Sequence, residues 1–399
     1  MSGAAQPNAV AVLGATGSIG TSTLDIIARH PAHYRVASLS ADQDVDGMAA
    51  LCRRFRPTVA AMADPGAAAA LDRRLRDLPG TTVVEGEAGQ IVAATQAGAD
   101  TVVAGIVGAA GLAPCLAAVE AGSRVLIANK EALVVAGSLI MAAAERSGAV
   151  LLPIDSEHNG IFQCLPARPG QPLAMAGVER IALTASGGPF RDRDPATLAT
   201  VTAAEACAHP NWSMGRKVSV DSATMMNKGL ELIEACRFFQ IGAERVDILV
   251  HPQSLIHALV QYRDGSTLAQ MGNPDMRTPI ANALAWPERV DAGVQPLDLL
   301  AAGRLDFAAP DDARFPCLAL ARSALAAGGG ATAALNGANE VAVADFLEGR
   351  LRYDRIAVVI EETLAAMPTA SGQTLEALMA HEQWARRQAA ASLRRWRQQ

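Results

Sequence analysis

The chain is poor in aromatic residues, and its cysteines lack the spacing of a disulfide scaffold. Phe, Trp and Tyr make up 4% of its 399 residues, so Ala, Val, Leu and Ile must fill its hydrophobic cores. Its cysteines are far apart and form no Cys-x-x-Cys pair, which excludes a disulfide scaffold and predicts reduced side chains. The cysteines are Cys52, Cys115, Cys164, Cys207, Cys236 and Cys317.

Signals for membranes, secretion and nucleic acid are also missing. Residues 1–14 lack a basic region followed by a long apolar run, so no signal peptide is predicted. The uncharged residues 101–119 are interrupted by glycines and a proline, which is typical of strand, turn and buried helix rather than a membrane span. The net charge is −6, and basic residues cluster only in the C-terminal arginine run, interpreted as a solvated helix face. We therefore expect a globular cytoplasmic protein that binds neither membrane nor nucleic acid.

The length and the pattern of apolar segments predict several α/β domains. In residues 1–150 short apolar runs alternate with helical segments, which indicates βαβ units and a Rossmann-like parallel sheet. Residues 151–285 predict a central α/β catalytic domain with a hairpin across 263–266. A linker at 286–316 and a C-terminal helical domain at 317–399 follow, with helices at 317–348 and 354–366. The first-domain strands are expected at residues 9–13, 34–40, 58–62, 82–84, 101–104, 124–128 and 149–153.

A glycine-rich turn, GATGSIG at 14–20, follows the first predicted strand. The GxxGxxG spacing is weak alone, but its strand–turn–helix context predicts a dinucleotide site. No tyrosine in the chain is followed by Lys four residues later, which excludes short-chain dehydrogenase chemistry. After the second strand come Asp42 and Asp44, where an acid binds a ribose 2′-hydroxyl and a cation would bind a 2′-phosphate. These residues favour NAD or leave the choice open.

Two acids leave the last predicted strand of the first domain. Asp155 and Glu157 would project to the same side of an extended backbone. Alone, such a pair also suits a solvated edge. With Glu231 as a third carboxylate, it predicts an oxygen-ligand site for Mg²⁺ or Mn²⁺.

Residues 209–235, HPNWSMGRKVSVDSATMMNKGLELIEA, hold the densest group of polar side chains. Asn227 and Glu231 share a helix face with Lys228 beside them, although a Lys–Glu pair at this spacing also suits a protein surface. Ser222 suits a helix N-cap as well as a ligand. Together with Ser186, these residues predict a cradle for a monophosphate.

The loop at 207–216 is predicted to be a mobile lid, because Trp212 and Met214 could cover a bound ligand. Hydrophobic packing of Trp212 is an equally good interpretation. His251 and His257 lie six residues apart without the spacing of a zinc site, and both are predicted to be structural.

Together these motifs resemble the 1-deoxy-D-xylulose 5-phosphate reductoisomerase family. The resemblance runs in order from about residue 8 to about residue 350. Beyond the 209–235 segment, it rests on GATGSIG at 14–20, ANKEALV at 128–134, PIDSEHN at 153–159, TASGGPF at 184–190, HPQSLIHA at 251–258, MGNPDMRTPIA at 271–281 and LNGANE at 335–340.

The resemblance implies an NADPH-dependent, metal-dependent homodimer that converts 1-deoxy-D-xylulose 5-phosphate to 2-C-methyl-D-erythritol 4-phosphate for isoprenoid precursors. The implied metal ligands are Asp155, Glu157 and Glu231, which are catalytic together with Lys130 and His209. The implied substrate-binding residues are Lys130, Ser156, Glu157, Ser186, His209, Ser222, Asn227, Lys228 and Glu231. The implied cofactor-binding residues are Thr16, Gly17, Ser18, Ile19, Asn129, Glu131, Gly215 and Met276.

One position departs from the family. Many members carry a Lys or Arg after the second strand, where this chain has Asp42, Gln43 and Asp44. We therefore expect NADPH to outperform NADH by a smaller margin than in those relatives. A sugar-phosphate dehydrogenase without rearrangement is an alternative, but it would not need three carboxylates. A non-catalytic dinucleotide sensor is another, and it would have no use for those carboxylates or for Lys228.

Overall fold

The computed structural model describes residues 6–166, 176–212, 214–368 and 374–396. Within them the α/β prediction is confirmed, with a parallel sheet near the N-terminus and helices at the C-terminus. The strands of the first sheet are β1 Asn8–Leu13, β2 Tyr34–Ala41, β3 Val59–Met62, β4 Thr82–Glu85, β5 Thr101–Ala104, β6 Arg124–Ile127 and β7 Val150–Pro153. Those of the second sheet are β8 Val178–Ala185, β9 Val246–Val250, β10 Ile256–Tyr262 and β11 Thr267–Met271.

Helices surround both sheets and form the C-terminal part of the chain. In the first half they are α1 Ser18–Arg29, α2 Val45–Phe55, α3 Pro65–Arg74, α4 Gly86–Thr95, α5 Leu112–Glu120, α6 Lys130–Ser147 and α7 Ser156–Cys164. In the second half they are α8 Ala203–Cys207, α9 Arg216–Ala223, α10 Met226–Phe238, α11 Arg277–Ala285, α12 Leu299–Ala302, α13 Pro316–Ala327, α14 Ala331–Leu347, α15 Ile356–Ala365 and α16 Leu375–Trp396. Among these described helices, none has both the length and the apolar character needed to span a bilayer.

The first sheet has the strand order β4-β3-β2-β1-β5-β6-β7, and every pairing is parallel. From β1 to β4 the strands are added on one side of β1, and from β5 to β7 they are added on its other side. This change of strand order between β1 and β5 opens a crevice at the carboxyl ends of these two strands. Gly14, directly after β1, has φ +77°. A side chain there would place its Cβ 2.7 Å from the carbonyl oxygen of Gly105, so only glycine allows this close approach.

The first and central regions interlock. Residues 277–285 fall in the predicted central domain, yet Ile280, Ala281 and Leu284 of α11 belong to the hydrophobic core of the parallel sheet. Strand β7 also extends that sheet beyond residue 150. We therefore propose a first domain that continues through β7 and includes α11.

The second sheet has the order β11-β10-β8-β9. Its hairpin across residues 263–266 is confirmed, because Gln261 of β10 pairs with Thr267 of β11 in antiparallel register. The predicted linker runs along one end of this sheet. Near its start, the Asn273 side chain donates to the carbonyl of Gln295 at 2.8 Å. Near its end, Ala308 exchanges backbone hydrogen bonds with Val250 of β9.

The prediction of one helix over residues 317–348 is wrong. Helix α13 ends at Ala327 and α14 begins at Ala331. The three intervening glycines have φ values of +64°, +52° and +90°. Because glycine adopts positive φ without a steric penalty, this run ends one helix and redirects the chain into the next.

Candidate active site

One cavity of about 410 Å³ lies at the carboxyl edge of the parallel sheet, where the first sheet meets the second. The first residues of α1, the first turns of α6 and α7, and helices α9 and α10 contribute to its walls. The walls also include His209, Trp212, Met214 and Gly215, and residues from the segments 105–107, 184–187, 254–257 and 274–276. Except for Thr16 and Gly17, which lie just before α1, the predicted metal, substrate and cofactor residues thus line one cavity although they come from distant parts of the sequence.

The three predicted metal ligands converge. Asp155, Glu157 and Glu231 each offer a carboxylate oxygen within 4.8 Å of the others. The expected reason for this convergence is wrong, since residues 155–157 are not an extended strand. Asp155 is the N-cap of α7 and accepts a hydrogen bond from the Ser156 amide at 2.9 Å. Glu157 lies in the first turn of that helix, and α10 carries Glu231 to the same point.

Two lysines neutralise most of this charge. Lys130 Nζ lies 2.5 Å from Asp155 Oδ2 and 3.1 Å from Glu231 Oε1. Lys228 Nζ lies 2.8 Å from Glu157 Oε1 and also contacts Glu231 Oε2. The Lys228–Glu231 pair is therefore buried, with side chains 4% and 1% exposed, and the surface-pair interpretation is wrong. Three carboxylates and two ammonium groups leave one net negative charge facing the cavity.

The electrostatics keep the lysines charged. Burial opposes the charge on Lys130, but Asp155 and Glu231 outweigh it and hold its pKa well above the ordinary value. Burial also opposes ionisation of Asp155, yet the nearby Lys130 ammonium lowers the pKa of this carboxyl. The pKa of Glu231 is raised by burial and by the neighbouring Glu157 charge. A cation placed among these groups would relieve that repulsion.

The turn at 186–188 supplies a hydroxyl group with a defined orientation. The Asn211 and Trp212 amides donate to Nδ1 of His209 at 3.2 and 2.9 Å, so the ring hydrogen is on Nε2. Burial lowers the pKa of His209, which favours this neutral form. Nε2 then donates to Ser186 Oγ at 2.8 Å, and the Gly188 amide donates to the same oxygen at 3.1 Å. The Ser186 hydroxyl hydrogen is left to donate to a ligand.

The remaining cradle residues lie next to this turn. Gly188, with φ +69°, approaches Ser222 so closely that a Cβ would lie 2.7 Å from the Ser222 carbonyl oxygen. Ser222 is in the last turn of α9 rather than at a helix N-cap, so that interpretation is wrong. Asn227 Oδ1 accepts from Lys130 Nζ at 2.8 Å. With Lys228, these side chains line the same part of the cavity wall.

The predicted lid lies across the cavity and is held by side-chain contacts. Asn211 Nδ2 donates to the Pro252 carbonyl at 2.7 Å and to Ser254 Oγ at 2.9 Å. The Trp212 ring centroid is 6.0 Å from that of His257. His257, predicted to be structural, therefore lines the cavity. His251 is fully buried away from it and stacks on Phe307 at 4.9 Å.

His257 should make stability depend on pH. Burial lowers its pKa from 6.5 to about 4, so between these values the unfolded chain binds a proton that the folded protein does not. The free energy of unfolding should therefore fall as pH drops from about 6.5 to about 4, by roughly 3 kcal/mol in total. Urea unfolding of His257→Gln across this range should show a shallower decline than the wild type. His33→Gln, at an exposed position, is the control, and parallel curves for all three proteins would contradict the prediction.

The predicted cofactor residues lie on the opposite wall. Ser18 and Ile19 begin α1 and face the cavity, and Thr16 and Gly17 form the turn just before them. Asn129 is the N-cap of α6 and accepts from the Ala132 amide at 3.2 Å. The remaining three, which also line the cavity, are Glu131, Gly215 and Met276.

A partly buried charge network beside these residues was missed from the sequence. Lys217 Nζ lies 3.1 Å from Glu131, 2.9 Å from Asp221 and 3.2 Å from Glu340. Asn339 donates to Asp221 at 2.8 Å. The network ties α6, α9 and α14 together beside the cofactor residues, and its one sequence signal is the i,i+4 spacing of Lys217 and Asp221. The three lysines of the whole sequence, Lys130, Lys217 and Lys228, all lie at this site.

Three family models match consecutive parts of the chain. Residues 10–137 match 1-deoxy-D-xylulose 5-phosphate reductoisomerase, and residues 151–239 match the 1-deoxy-D-xylulose 5-phosphate reductoisomerase C-terminal domain. Residues 271–388 match the DXP reductoisomerase C-terminal domain.

Similar proteins and structures agree with these matches. A 1-deoxy-D-xylulose 5-phosphate reductoisomerase of Pseudomonas putida (strain W619) is 60% identical, over 97% of this chain and 98% of that protein. A crystal structure of DOX-P reductoisomerase with NADPH, fosmidomycin and magnesium matches with a TM-score of 0.92 and 46% identity, over 97% and 98% of the two chains. The Zymomonas mobilis reductoisomerase with NADPH matches at 0.90 and 46%, over 98% and 99%. The chain therefore belongs to the 1-deoxy-D-xylulose 5-phosphate reductoisomerase family.

Proposed function

We propose that this protein catalyses the NADPH-dependent rearrangement and reduction of 1-deoxy-D-xylulose 5-phosphate to 2-C-methyl-D-erythritol 4-phosphate, a step towards isoprenoid precursors. One observation carries the proposal: a three-carboxylate cluster, a lysine- and hydroxyl-lined cradle and a dinucleotide turn share one cavity. A dehydrogenase that only transfers hydride would not need the cluster, and a sensor would need neither cluster nor cradle. The relative with bound NADPH, fosmidomycin and magnesium supports this assignment.

Asp155, Glu157 and Glu231 would hold the divalent cation, Mg²⁺ or Mn²⁺. An octahedral oxygen site with ligand distances of about 2.0–2.1 Å needs oxygens roughly 3–4 Å apart, and these carboxylates offer oxygens within 4.8 Å of one another. Their hard, charged oxygens suit such ions, so the residues fit. When bound, the ion would polarise the ketone oxygen of the substrate and orient the adjacent hydroxyl.

Lys130 and Ser156 would position the oxygenated head of the substrate. The Lys130 ammonium stays charged beside Asp155 and Glu231, and its N–H groups can turn towards a substrate oxygen. As a carbon–carbon bond breaks and re-forms, negative charge develops on that oxygen, and a charge held in place stabilises it. Ser156 Oγ donates to Glu157 Oε2 at 2.6 Å and so orients this carboxylate.

Ser186, Ser222, Asn227 and Lys228 would bind the phosphate group. The Ser186 hydroxyl donates most easily, because His209 and Gly188 already donate to its oxygen. Phosphate binding far from the reacting carbons supplies binding energy that orients them. The lid contact between Asn211 and Ser254 would keep water from the site.

The cofactor would occupy the wall formed by the parallel sheet and supply a hydride for the final reduction. The backbone N–H groups of Ser18 and Ile19 lie at the positive N-terminal end of α1 and would bind the pyrophosphate. Thr16 and Gly17 would line the approach to it. The nicotinamide end would lie among Asn129, Glu131, Gly215 and Met276.

A coupled assay tests the proposal. Loss of reduced nicotinamide absorbance should require both 1-deoxy-D-xylulose 5-phosphate and Mn²⁺ or Mg²⁺, and NMR should identify the branched-chain product. Absence of turnover with metal present would reject the proposed function. Turnover with a product that keeps the linear carbon chain would favour the simple dehydrogenase instead.

The protein would work as a homodimer in the cytoplasm, where its thiols would stay reduced. One face of the second sheet supports dimerisation. Ala182, Leu259 and Ala269 are paired across neighbouring strands, so they share that face, and each is partly or fully exposed. Elsewhere on the surface, the linker exposes Leu299 and Leu300, which are 60% and 94% exposed. Apolar surface of this kind favours burial against a second copy.

Introducing charge on the linker should weaken the dimer. Each leucine buried at an interface contributes roughly 1.5–3 kcal/mol, so the double variant Leu299→Glu/Leu300→Glu should raise the dimer Kd by at least about a hundredfold. Light scattering after size-exclusion chromatography measures this shift. Ala50→Glu adds charge at an exposed position on α2 and should leave the dimer intact. An unchanged dimer Kd in the double variant would show that these leucines do not lie at the interface.

A further inference from the structure

The adenosine-ribose end of the cofactor site is acidic. The Ala15 amide donates to the Ser40 carbonyl at 2.7 Å, and the Gly14 amide donates to Ser40 Oγ at 3.2 Å. These bonds hold the end of β2 directly against the glycine turn that faces the pyrophosphate. The first residue after β2 is Asp42, whose side chain is exposed at this edge.

The loops around Asp42 contain no cation. Residues 14–22, 40–47 and 62–67, which form the turns after β1, β2 and β3, have neither Lys nor Arg. Arg74, from the far end of α3, reaches this region but pairs with Asp46. A phosphate group at this edge would therefore have no free cation from these loops to neutralise it.

The helix N-termini nearby are already occupied by carboxylates. Asp44 caps α2 and accepts from the Gly47 amide at 2.9 Å. Asp64 caps α3 and accepts from the Ala67 amide at 2.7 Å. A helix N-terminus normally attracts a phosphate through its free N–H groups, and here an acid takes that place at both helices. The residues of this edge do not fit a 2′-phosphate.

We propose that Asp42 accepts a hydrogen bond from the 2′-hydroxyl of the adenosine ribose, and that this protein therefore discriminates only weakly between NADPH and NADH. The inference rests on the proposed function and deepens it at the cofactor. A carboxylate is the natural acceptor for two ribose hydroxyls. A 2′-phosphate, in contrast, would lie near several carboxylates and lose the charge-assisted hydrogen bonds that usually select it.

Binding of the nucleotides without sugar phosphate tests the inference separately from the reaction. Fluorescence titration of the full-length protein with Mg²⁺ should give Kd values for NADH and NADPH within about tenfold of each other. The nucleotides 5′-AMP and adenosine 2′,5′-bisphosphate probe this end of the site alone. They should compete with the bound dinucleotide with similar inhibition constants. NADPH binding more than about a hundredfold tighter than NADH would overturn the inference. Failure of turnover with both cofactors, at similar Kd values, would instead count against the proposed function.

Asp42→Asn tests the named acceptor. Weakening a hydrogen bond to a charged group should raise the Kd for NADH roughly five- to tenfold, whereas the Kd for NADPH should stay unchanged or fall. Asp72→Asn, an exposed acid in the last turn of α3, removes the same charge far from this edge. Asp72→Asn should change the Kd values for NADH and NADPH equally and only slightly. Equal increases in the Kd values for NADH and NADPH in Asp42→Asn would show that Asp42 does not bind the 2′-hydroxyl selectively.

Discussion

Glu231→Gln should lower kcat/KM at least about a thousandfold, a loss of roughly 4 kcal/mol of transition-state stabilisation. Both oxygens of Glu231 are in use: Oε1 contacts Lys130 and Asn227, and Oε2 contacts Lys228. Glutamine would turn an amide N–H towards one of these donors and remove a charge that the divalent ion requires. Binding of Mn²⁺, followed by electron paramagnetic resonance, should weaken in parallel, whereas the Kd for NADPH should change little.

Glu234→Gln is the matched control on the same helix. Glu234 lies one turn further along α10, is 1% exposed, and is 3.6 Å from His158. Burial, followed by repulsion from Asp155, raises its pKa well above the ordinary value, which favours the neutral acid. Because glutamine is neutral like a protonated glutamate, Glu234→Gln should keep activity within about threefold of the wild type. Equal losses in both variants would show that packing, rather than the Glu231 charge, supports activity.

Lys130→Met should abolish turnover and at the same time strengthen metal binding. Removal of the ammonium changes the net charge of the five-group cluster from −1 to −2, which attracts a divalent cation more strongly. Without metal, the variant leaves the Asp155 charge unpaired and removes one of the two lysine partners of Glu231, which should destabilise it by about 3–5 kcal/mol. Mg²⁺ should therefore raise its Tm more than that of the wild type, while kcat falls at least about a thousandfold.

Lys217→Met separates this effect from a general loss of buried charge. Lys217 also pairs with carboxylates, but its partners Glu131, Asp221 and Glu340 are not part of the metal cluster. The variant should lose stability without gaining any Mg²⁺-dependent recovery of Tm. Recovery by Mg²⁺ in both variants, or in neither, would contradict the assignment of Lys130 to the metal cluster.

The parallel sheet and most of the site follow from local patterns. Apolar runs predict the strands because the central strands β1, β2, β5 and β6 are buried on both faces. The glycine turn is predictable because the positive φ at Gly14 is a local property of glycine. The grouping of Asn227, Lys228 and Glu231 follows from helical spacing alone. These features need only information contained within a few consecutive residues.

The remaining features depend on contacts between distant segments. Asp155 and Glu157 converge through a helix start, which the apolar run before them conceals. Lys217 meets Asp221 at an i,i+4 helical spacing, but no spacing in the sequence predicts its contacts with residues 131 and 340. His257 looks structural until the position of Trp212 is known, since a histidine on a strand can face either a core or a cavity.

The restriction of lysine to the site has a practical consequence for experiments. Apart from the N-terminal α-amine, the chain carries primary amines only at positions 130, 217 and 228, each engaged in ion pairs. Apart from the N-terminal α-amine, reductive ¹³C-methylation would therefore place isotopic reporters only around the reaction centre, and each ε-amine would give its own NMR resonance. Metal, phosphate and nucleotide binding could then be followed separately, through the signals of Lys130, Lys228 and Lys217, on the unmutated protein.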